Sequence, residues 1–235
     1  MLLSIIIPVY NEEQYIKKIL LKINAIKNLE KEIIIINDCS NDETKNILEN
    51  ECKLLYSKLI NNSKNMGKGF SCKIGIKASS GKIVLIQDAD LEYNPNDYTK
   101  LIKPILDNEA KVVYGSRVLP GGNRIRPKTF DFIIRYFANW FLTFFSNMLN
   151  KQNLTDCHTC YKVFLSEVIK KIHLEEHGFC FCPEITAKIS KLGIKIKEVP
   201  IDYFGRTHSE GKKISYFDGL KALNTIVKYN LIKKR

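Results

Sequence analysis

No run in this 235-residue sequence is long and apolar enough to cross a bilayer. The longest stretch without a charged residue, Tyr136 to Asn150, has fifteen residues and includes three asparagines, short of the roughly 20 apolar residues a span requires. No charged-then-apolar leader with a small-residue cleavage site opens the chain; Leu2 to Val9 is only eight residues long and carries Pro8, which suits a buried strand. Repeats, low-complexity linkers and a second domain boundary are also missing, so one domain over 1–235 is expected. Acidic residues are scarce, 25 against 37 lysines and arginines, for a formal net charge of +12. The stretch from Lys188 to Arg235 alone holds 12 basic and 4 acidic residues. Such asymmetry points to an anionic partner: nucleic acid, an acidic membrane surface or a phosphorylated substrate. The seven cysteines are an odd number in a chain too long to need disulfide staples, which makes a reducing cytoplasm the expected setting. At 45% hydrophobic residues the chain has enough apolar side chain for a sizeable core, which excludes wholesale disorder.

What is present is an alternation of short β-branched runs and longer segments of helical period, the pattern of a parallel sheet covered by helices. Ile5 to Val9 reads as a first strand, followed by Tyr15, Ile16, Ile19, Leu20, Ile23 and Ile26 at helical spacing. Ile33 to Ile36 reads as a second strand, Asp42 to Glu51 as a short helix and Leu54 to Ile60 as a third strand. A helix is expected from Gly67 towards Ala78, a strand over Ile83 to Gln87, and another at Val112 to Tyr114. Polar residues close one strand after another, and in open α/β sheets ligands bind outside the carboxyl ends of the strands. Asp38, Asp88, Asp90 and Arg117 are therefore expected in one crevice. Beyond residue 120 come eight aromatics between Phe130 and Phe145, a strand at Ile194 to Val199 and an amphipathic helix from about Ser215.

Asp88-Ala89-Asp90-Leu91-Glu92 is the sharpest local signal. Three carboxylates at alternate positions at a strand end repel one another unless a cation sits among them, and oxygen ligands with few nitrogens favour magnesium or manganese. A lone D-x-D serves equally as a solvated turn capping a helix; the other strand-end residues favour the metal. Gly67-Lys68-Gly69 lacks both the P-loop and the dinucleotide spacing, yet allows either a close backbone approach to a phosphate or a plain turn. Cys157-His158-Thr159-Cys160 with Cys180-Phe181-Cys182 invites structural zinc, but the second pair is C-x-C and buried thiols are the better reading. Ile133, Phe137, Trp140, Phe141, Phe144, Phe145 and Met148 share one helical face, more rings than one helix buries in a small domain, which makes an interfacial or lipid-facing helix as good a reading as a core helix. Arg206 and Lys212-Lys213, with Gly205 and Gly211, form a basic loop suited to phosphate.

Taken together, Pro8-Val9-Tyr10-Asn11-Glu12, Asn37-Asp38-Cys39-Ser40, Gly67-Lys68-Gly69, Asp88 to Glu92 and Gly115-Ser116-Arg117 resemble the family 2 glycosyltransferases of GT-A fold. That likeness implies a Rossmann-like α/β fold with a central, mostly parallel sheet. The second half is similar to the polyprenyl-phosphate branch, the dolichol-phosphate mannosyltransferases among them. It matches at Leu154-Thr155-Asp156, Thr159 to Phe164, Pro183 to Lys188, Glu198 to Ile201, Gly205-Arg206-Thr207 and Glu210 to Lys213. The resemblance implies that residues 1–117 bind a nucleotide sugar and 118–235 face the acceptor and the membrane. Pro8, Tyr10, Glu12, Ile36 and Asp38 would hold base and ribose, and Lys68, Asp88 and Ala89 would line the donor site. Asp90 and Glu92 would ligate Mg2+ or Mn2+, while Arg117, Arg135, Arg206 and Lys212 would clamp phosphates, with Asp90, Arg117 and Arg206 central to catalysis. Two departures stand out: Asn37-Asp38-Cys39 replaces the family's frequent two aspartates and glycine, and Cys182 stands where relatives often have glutamate.

The implied reaction is inverting transfer of a sugar, with GDP-mannose the first choice of donor and UDP-glucose the second, to a polyprenyl (dolichyl) phosphate. The protein is expected on the cytoplasmic face of a membrane, the endoplasmic reticulum in a eukaryote, held by surface helices, basic residues or a membrane-anchoring subunit. A soluble-acceptor glycosyltransferase keeps the first half's roles but leaves the aromatic helix without a reason. A nucleic-acid module calls for rings interleaved with basic residues, whereas here the rings lie on an almost uncharged stripe.

Overall fold

Isoleucine-rich runs fill the first half of the chain, and each becomes a strand, because β-branched side chains pack well on a pleated surface. The structure, a computed structural model, describes residues 1–125, 130–206 and 216–232. In chain order it runs β1 (Leu3–Val9), α1 (Ile16–Ala25), β2 (Lys31–Asn37), α2 (Thr44–Asn46) continuing as a π turn to Glu51, β3 (Lys58–Asn61), α3 (Lys68–Ala78), β4 (Ile83–Ile86), α4 (Tyr98–Leu106) and β5 (Val112–Ser116). There follow β6 (Arg124–Ile125), α5 (Phe130–Asn150), β7 (Lys162–Leu165), α6 (Ser166–Ile169), α7 (Phe181–Lys191), β8 (Lys197–Pro200), β9 (Tyr203–Phe204) and α8 (Tyr216–Val227).

Seven strands form one mixed sheet in the order β3-β2-β1-β4-β7-β5-β8, parallel except for β7, which runs antiparallel to both β4 and β5. β6 and β9 pair separately. Successive side chains of a strand point to opposite faces, and β1 shows both faces covered. Ile5 and Ile7 pack with Ile16, Ile19 and Leu20 of α1 and Leu101 of α4. Ile6 packs on the other side with Cys72 and Ile76 of α3 and Ile185 of α7. Burial on both faces is why these strands read as continuous apolar runs rather than alternating ones.

Several expectations shift. Leu54, expected to open the third strand, is 96% exposed; the π turn buries Leu48 and Cys52, the chain then turns outward, and pairing begins only at Ile34 with Lys58. The late strand begins at Lys197 rather than Ile194. β7 and α7 were not anticipated. β7 opens with Lys162, a wholly buried lysine whose ammonium donates to the carbonyls of Cys157 (3.1 Å) and Thr159 and lies 3.9 Å from the ring centroid of Tyr114. All seven cysteines are free thiols.

Helix α5 presents two different faces. Leu142 packs with Ala222 and Ile226 of α8, and Thr143, Ser146 and Asn150 are buried beside it. Phe137, Trp140, Phe141, Phe144 and Met148 are each at least half exposed, as are Phe217 and Leu220 of α8. Among the described residues no helix is long and apolar enough to cross a membrane.

Candidate active site

The strand ends supply the site. Pro8 near the end of β1, Tyr10 and Glu12 beyond it, Asp38 after β2 and Lys68 at the start of α3 line one cleft of about 520 Å³. Asp88, Ala89, Asp90 and Glu92 after β4, Arg117 after β5, Arg135 of α5 and Arg206 after β9 line the same cleft. Two expected residues do not join them. Ile36 is wholly buried in the core, with its side chain over Gly75 of α3, so that side chain forms no part of the wall; Lys212 lies outside the described residues.

Asp38 builds the entry to α3. One oxygen accepts the Asn62 amide (2.7 Å) and the Met66 backbone N–H (3.0 Å), and the other accepts the Gly67 N–H (2.7 Å). Gly67 has φ of 91°, and a Cβ there would fall 2.5 Å from the His177 carbonyl oxygen; one at Gly69 would fall 2.3 Å from that of Glu176. The close backbone approach that these glycines permit is therefore to the 176–178 segment of the same chain. It brings Lys68 to Asp88, with which it forms a largely buried ion pair, while its ammonium also lies 2.9 Å from the Cys160 thiol. Burial opposes both charges of that pair, but each ion overcomes it in the other: Lys68 is raised and Asp88 lowered. Gln87 steadies the strand end, its carbonyl accepting the hydroxyls of Tyr98 and Tyr161, both at 2.6 Å.

Two residues further on, Asp90 accepts the Glu92 N–H (3.1 Å) on one oxygen and the Arg206 guanidinium (2.7 Å) on the other. Arg206 also reaches Glu12 at 3.2 Å and lies over the Tyr15 ring, 5.1 Å from its centroid. Glu92 holds the segment that delivers this arginine: it accepts the Arg206 backbone N–H (2.7 Å) and the Tyr203 hydroxyl (2.9 Å). The cation demanded by the carboxylate cluster is thus, in the protein alone, partly a guanidinium and an ammonium. Among the described residues four carboxylates, Glu12, Asp88, Asp90 and Glu92, stand around Lys68 and Arg206, an excess of two negative charges. Burial, then the charges of Asp88 and Glu92, push Asp90 up to about 7, with Arg206 only partly offsetting them. A divalent cation fits that deficit. Asp90 is the more available ligand: one of its two partners is the shared Arg206 side chain, whereas Glu92 is committed to the Tyr203 hydroxyl and the Arg206 backbone N–H that deliver that segment. Among the described residues no three Asp, Glu, His or Cys side chains form a ready metal cage, so such an ion would need further oxygens from a bound ligand.

The opposite wall is built on Asp156. This wholly buried carboxylate takes Arg117 through Nε (2.7 Å), Nη2 (2.8 Å) and the backbone N–H (3.1 Å). Burial opposes its charge, yet Arg117 holds it below the usual carboxylate range. Glu198 in turn accepts the backbone N–H groups of Thr155 (2.7 Å) and Asp156 (3.0 Å). These supporting residues were missed as site residues: Leu154-Thr155-Asp156 was visible only as part of a resemblance, and no local spacing links Asp156 to Arg117. His158, Cys160, Cys182 and Leu142 also line the cleft, none of them expected as a site residue; Cys182 stood out only as a departure from the family pattern.

Comparison with known proteins places this geometry. The family described as "Glycosyl transferase family 2" matches residues 4–173. A dolichol-phosphate mannosyltransferase of Pyrococcus furiosus is 28% identical over 90% of this chain and 59% of its own length. A dolichyl-phosphate beta-glucosyltransferase of Trichomonas vaginalis is 29% identical over 96% of this chain and 72% of its own. The crystal structure of glucosyl-3-phosphoglycerate synthase from Mycobacterium tuberculosis, in complex with Mn2+ and UDP-glucose, has a TM-score of 0.73 at 15% identity, covering 97% of this chain and 78% of that one. That likeness shows the GT-A type of α/β fold.

Proposed function

The chain belongs to glycosyl transferase family 2, and from that premise we propose that it transfers a hexose from a nucleotide sugar to a polyprenyl phosphate, with inversion and with a divalent metal. The observation that carries this reading is the two-faced helix α5. Arg135, Asn139 and Leu142 line the cleft, while Phe137, Trp140, Phe141, Phe144 and Met148 of the same helix are open to the outside. A helix that meets a charged cleft on one side and offers rings on the other suits an acceptor with an anionic head and an apolar tail lying in a bilayer. The relatives named for dolichyl phosphate support the same acceptor class. GDP-mannose is the donor we favour; UDP-glucose is the second reading, supported by the name of the T. vaginalis relative.

The nucleophile needs little help. A phosphate monoester has a second pKa of about 6, so at neutral pH its oxygen is already ionised and no general base is required. That oxygen forms a bond to the anomeric carbon from the face opposite the leaving group, and the bond from that carbon to the diphosphate oxygen breaks. What the protein contributes is position and charge. Arg117, fixed by Asp156, and Arg135 hold the acceptor phosphate against the repulsion of the donor's diphosphate. Arg206 answers the charge that grows on the leaving diphosphate, and Asp38 keeps the nucleotide end of the cleft in shape. A divalent ion held by Asp90, when bound, would stabilise that leaving charge as a Lewis acid.

The test is direct. Incubated with magnesium or manganese, short-chain polyprenyl phosphate and labelled GDP-mannose or UDP-glucose, the protein should carry label into the organic phase. Label that stays in water, or moves only to a water-soluble acceptor, overturns the reading.

A further inference from the structure

His158 lines the cleft, and its Nε2 is buried without a hydrogen-bond partner. A buried polar atom left unsatisfied costs stability, and folds seldom keep one unless something completes it. Its backbone surroundings are hydrogen-bonded. The carbonyls of Cys157 and Thr159, on either side of it in the chain, both receive the buried ammonium of Lys162, and the Cys157 N–H donates to the Thr143 hydroxyl at 3.3 Å. The ring is also electrically quiet: burial first, then the charge of Lys162, push its pKa down to about 4, so it is neutral at physiological pH. Its neighbours on this wall are charged. Arg117 is turned by Asp156, two residues before His158, and Lys68 touches Cys160, two residues after it.

We propose that His158 hydrogen-bonds a hydroxyl of the transferred hexose and so takes part in choosing the sugar. This rests on the glycosyl-transfer reading above. A neutral imidazole is a poor choice for a phosphate, which the cleft meets with arginines and a lysine, but it suits an uncharged hydroxyl, to which it can donate or accept. The hexose is the hydroxyl-bearing group that must lie between the donor's diphosphate and the acceptor's phosphate. His158, placed in the chain between the residues that hold Arg117 and touch Lys68, belongs to the wall such a sugar would face. A site built to hydrogen-bond a hydroxyl discriminates strongly against a ligand that leaves it unmet.

The experiment compares equilibrium binding of GDP-mannose, UDP-glucose, GDP and UDP, with manganese, to the wild type and to His158→Ala, His158→Phe and His158→Gln. His158→Phe keeps a ring in place should the alanine variant fold poorly. Removing the nitrogen should weaken binding of the preferred nucleotide sugar by about tenfold, while the matching nucleoside diphosphate stays within about twofold. His158→Gln, which restores a donor and an acceptor, should recover most of the loss. Equal losses for sugar nucleotide and diphosphate, no loss for either, or a change confined to the KM for polyprenyl phosphate would each overturn the assignment. A wild type that binds neither nucleotide sugar sinks the transfer reading itself, and this inference with it, whatever the variants do.

Discussion

Arg117 and Arg206 face the same cleft, but Arg117 is built on one buried carboxylate, Asp156, while Arg206 is shared among several. Arg117 and Asp156 are matched, joined through two side-chain bonds, and the acid is held below its usual range. Arg206 is shared by Asp90 and Glu12 with Glu92 close by, and Asp90 ends near 7. Both arrangements are buried, so burial does not separate them; the ratio of charges does. A matched buried pair loses much when either partner goes, which makes it a fixed support for Arg117. A cluster with more acids than cations keeps an appetite for positive charge, which makes it a place where partners exchange when a ligand arrives.

The comparison breaks if the two acids respond alike. The largest effect is expected at Asp90: Asp90→Asn should lower transfer by at least about 100-fold, while leaving the melting temperature unchanged or higher because one repelling charge is gone. Asp156→Ala should do the reverse in emphasis, costing about 3–5 kcal/mol of stability and lowering the melting temperature by roughly 10 °C in a thermal scan. A pH series sharpens the contrast. Asp90 keeps its proton up to about pH 7 in the folded chain, whereas its ordinary value is 3.8. Between those limits the folded state binds more protons than the unfolded one, so stability without metal should fall as pH rises from about 4 to about 7. Asp90→Asn should flatten that slope, and a slope that survives the substitution would place its origin elsewhere. The smallest effect calibrates the rest: the Lys197–Glu109 pair is also matched but about half exposed on both sides, and Glu109→Gln should leave the melting temperature where it was, since exposed pairs contribute little.

β1, β2 and β4 were legible because they are buried on both faces, and Ile5 to Val9, Ile33 to Ile36 and Ile83 to Ile86 announce that in composition alone. β7 was not. It is four residues long, opens with a lysine, and runs against its neighbours; nothing local in Lys162-Val163-Phe164-Leu165 says that the lysine will be buried over Tyr114. The cleft was legible at Asp38, Asp88, Asp90 and Arg117 from the strand ends and at the remaining residues through the family resemblance, and twelve of those fourteen line it. Their partners were not, because the pairs are distant in sequence: Arg117 with Asp156, Arg206 with Asp90 and with Glu12. The glycines at 67 and 69 leave a phosphate contact and a plain turn equally open in the sequence, whereas what crowds them is the 176–178 backbone, a contact set by tertiary packing rather than by the motif. His158 stood in plain view but gave no signal beyond its cysteine neighbours.

Helix α5, aromatic outside and cleft-lining inside, has a kinetic corollary. On the proposed reading, with the rings settled among headgroups, the enzyme and a polyprenyl phosphate would share a plane, so the hydrocarbon chain would never have to enter water and the head alone would be drawn upward. Encounter is then two-dimensional, and turnover should follow the mole fraction of acceptor in the leaflet rather than its amount per volume of solution.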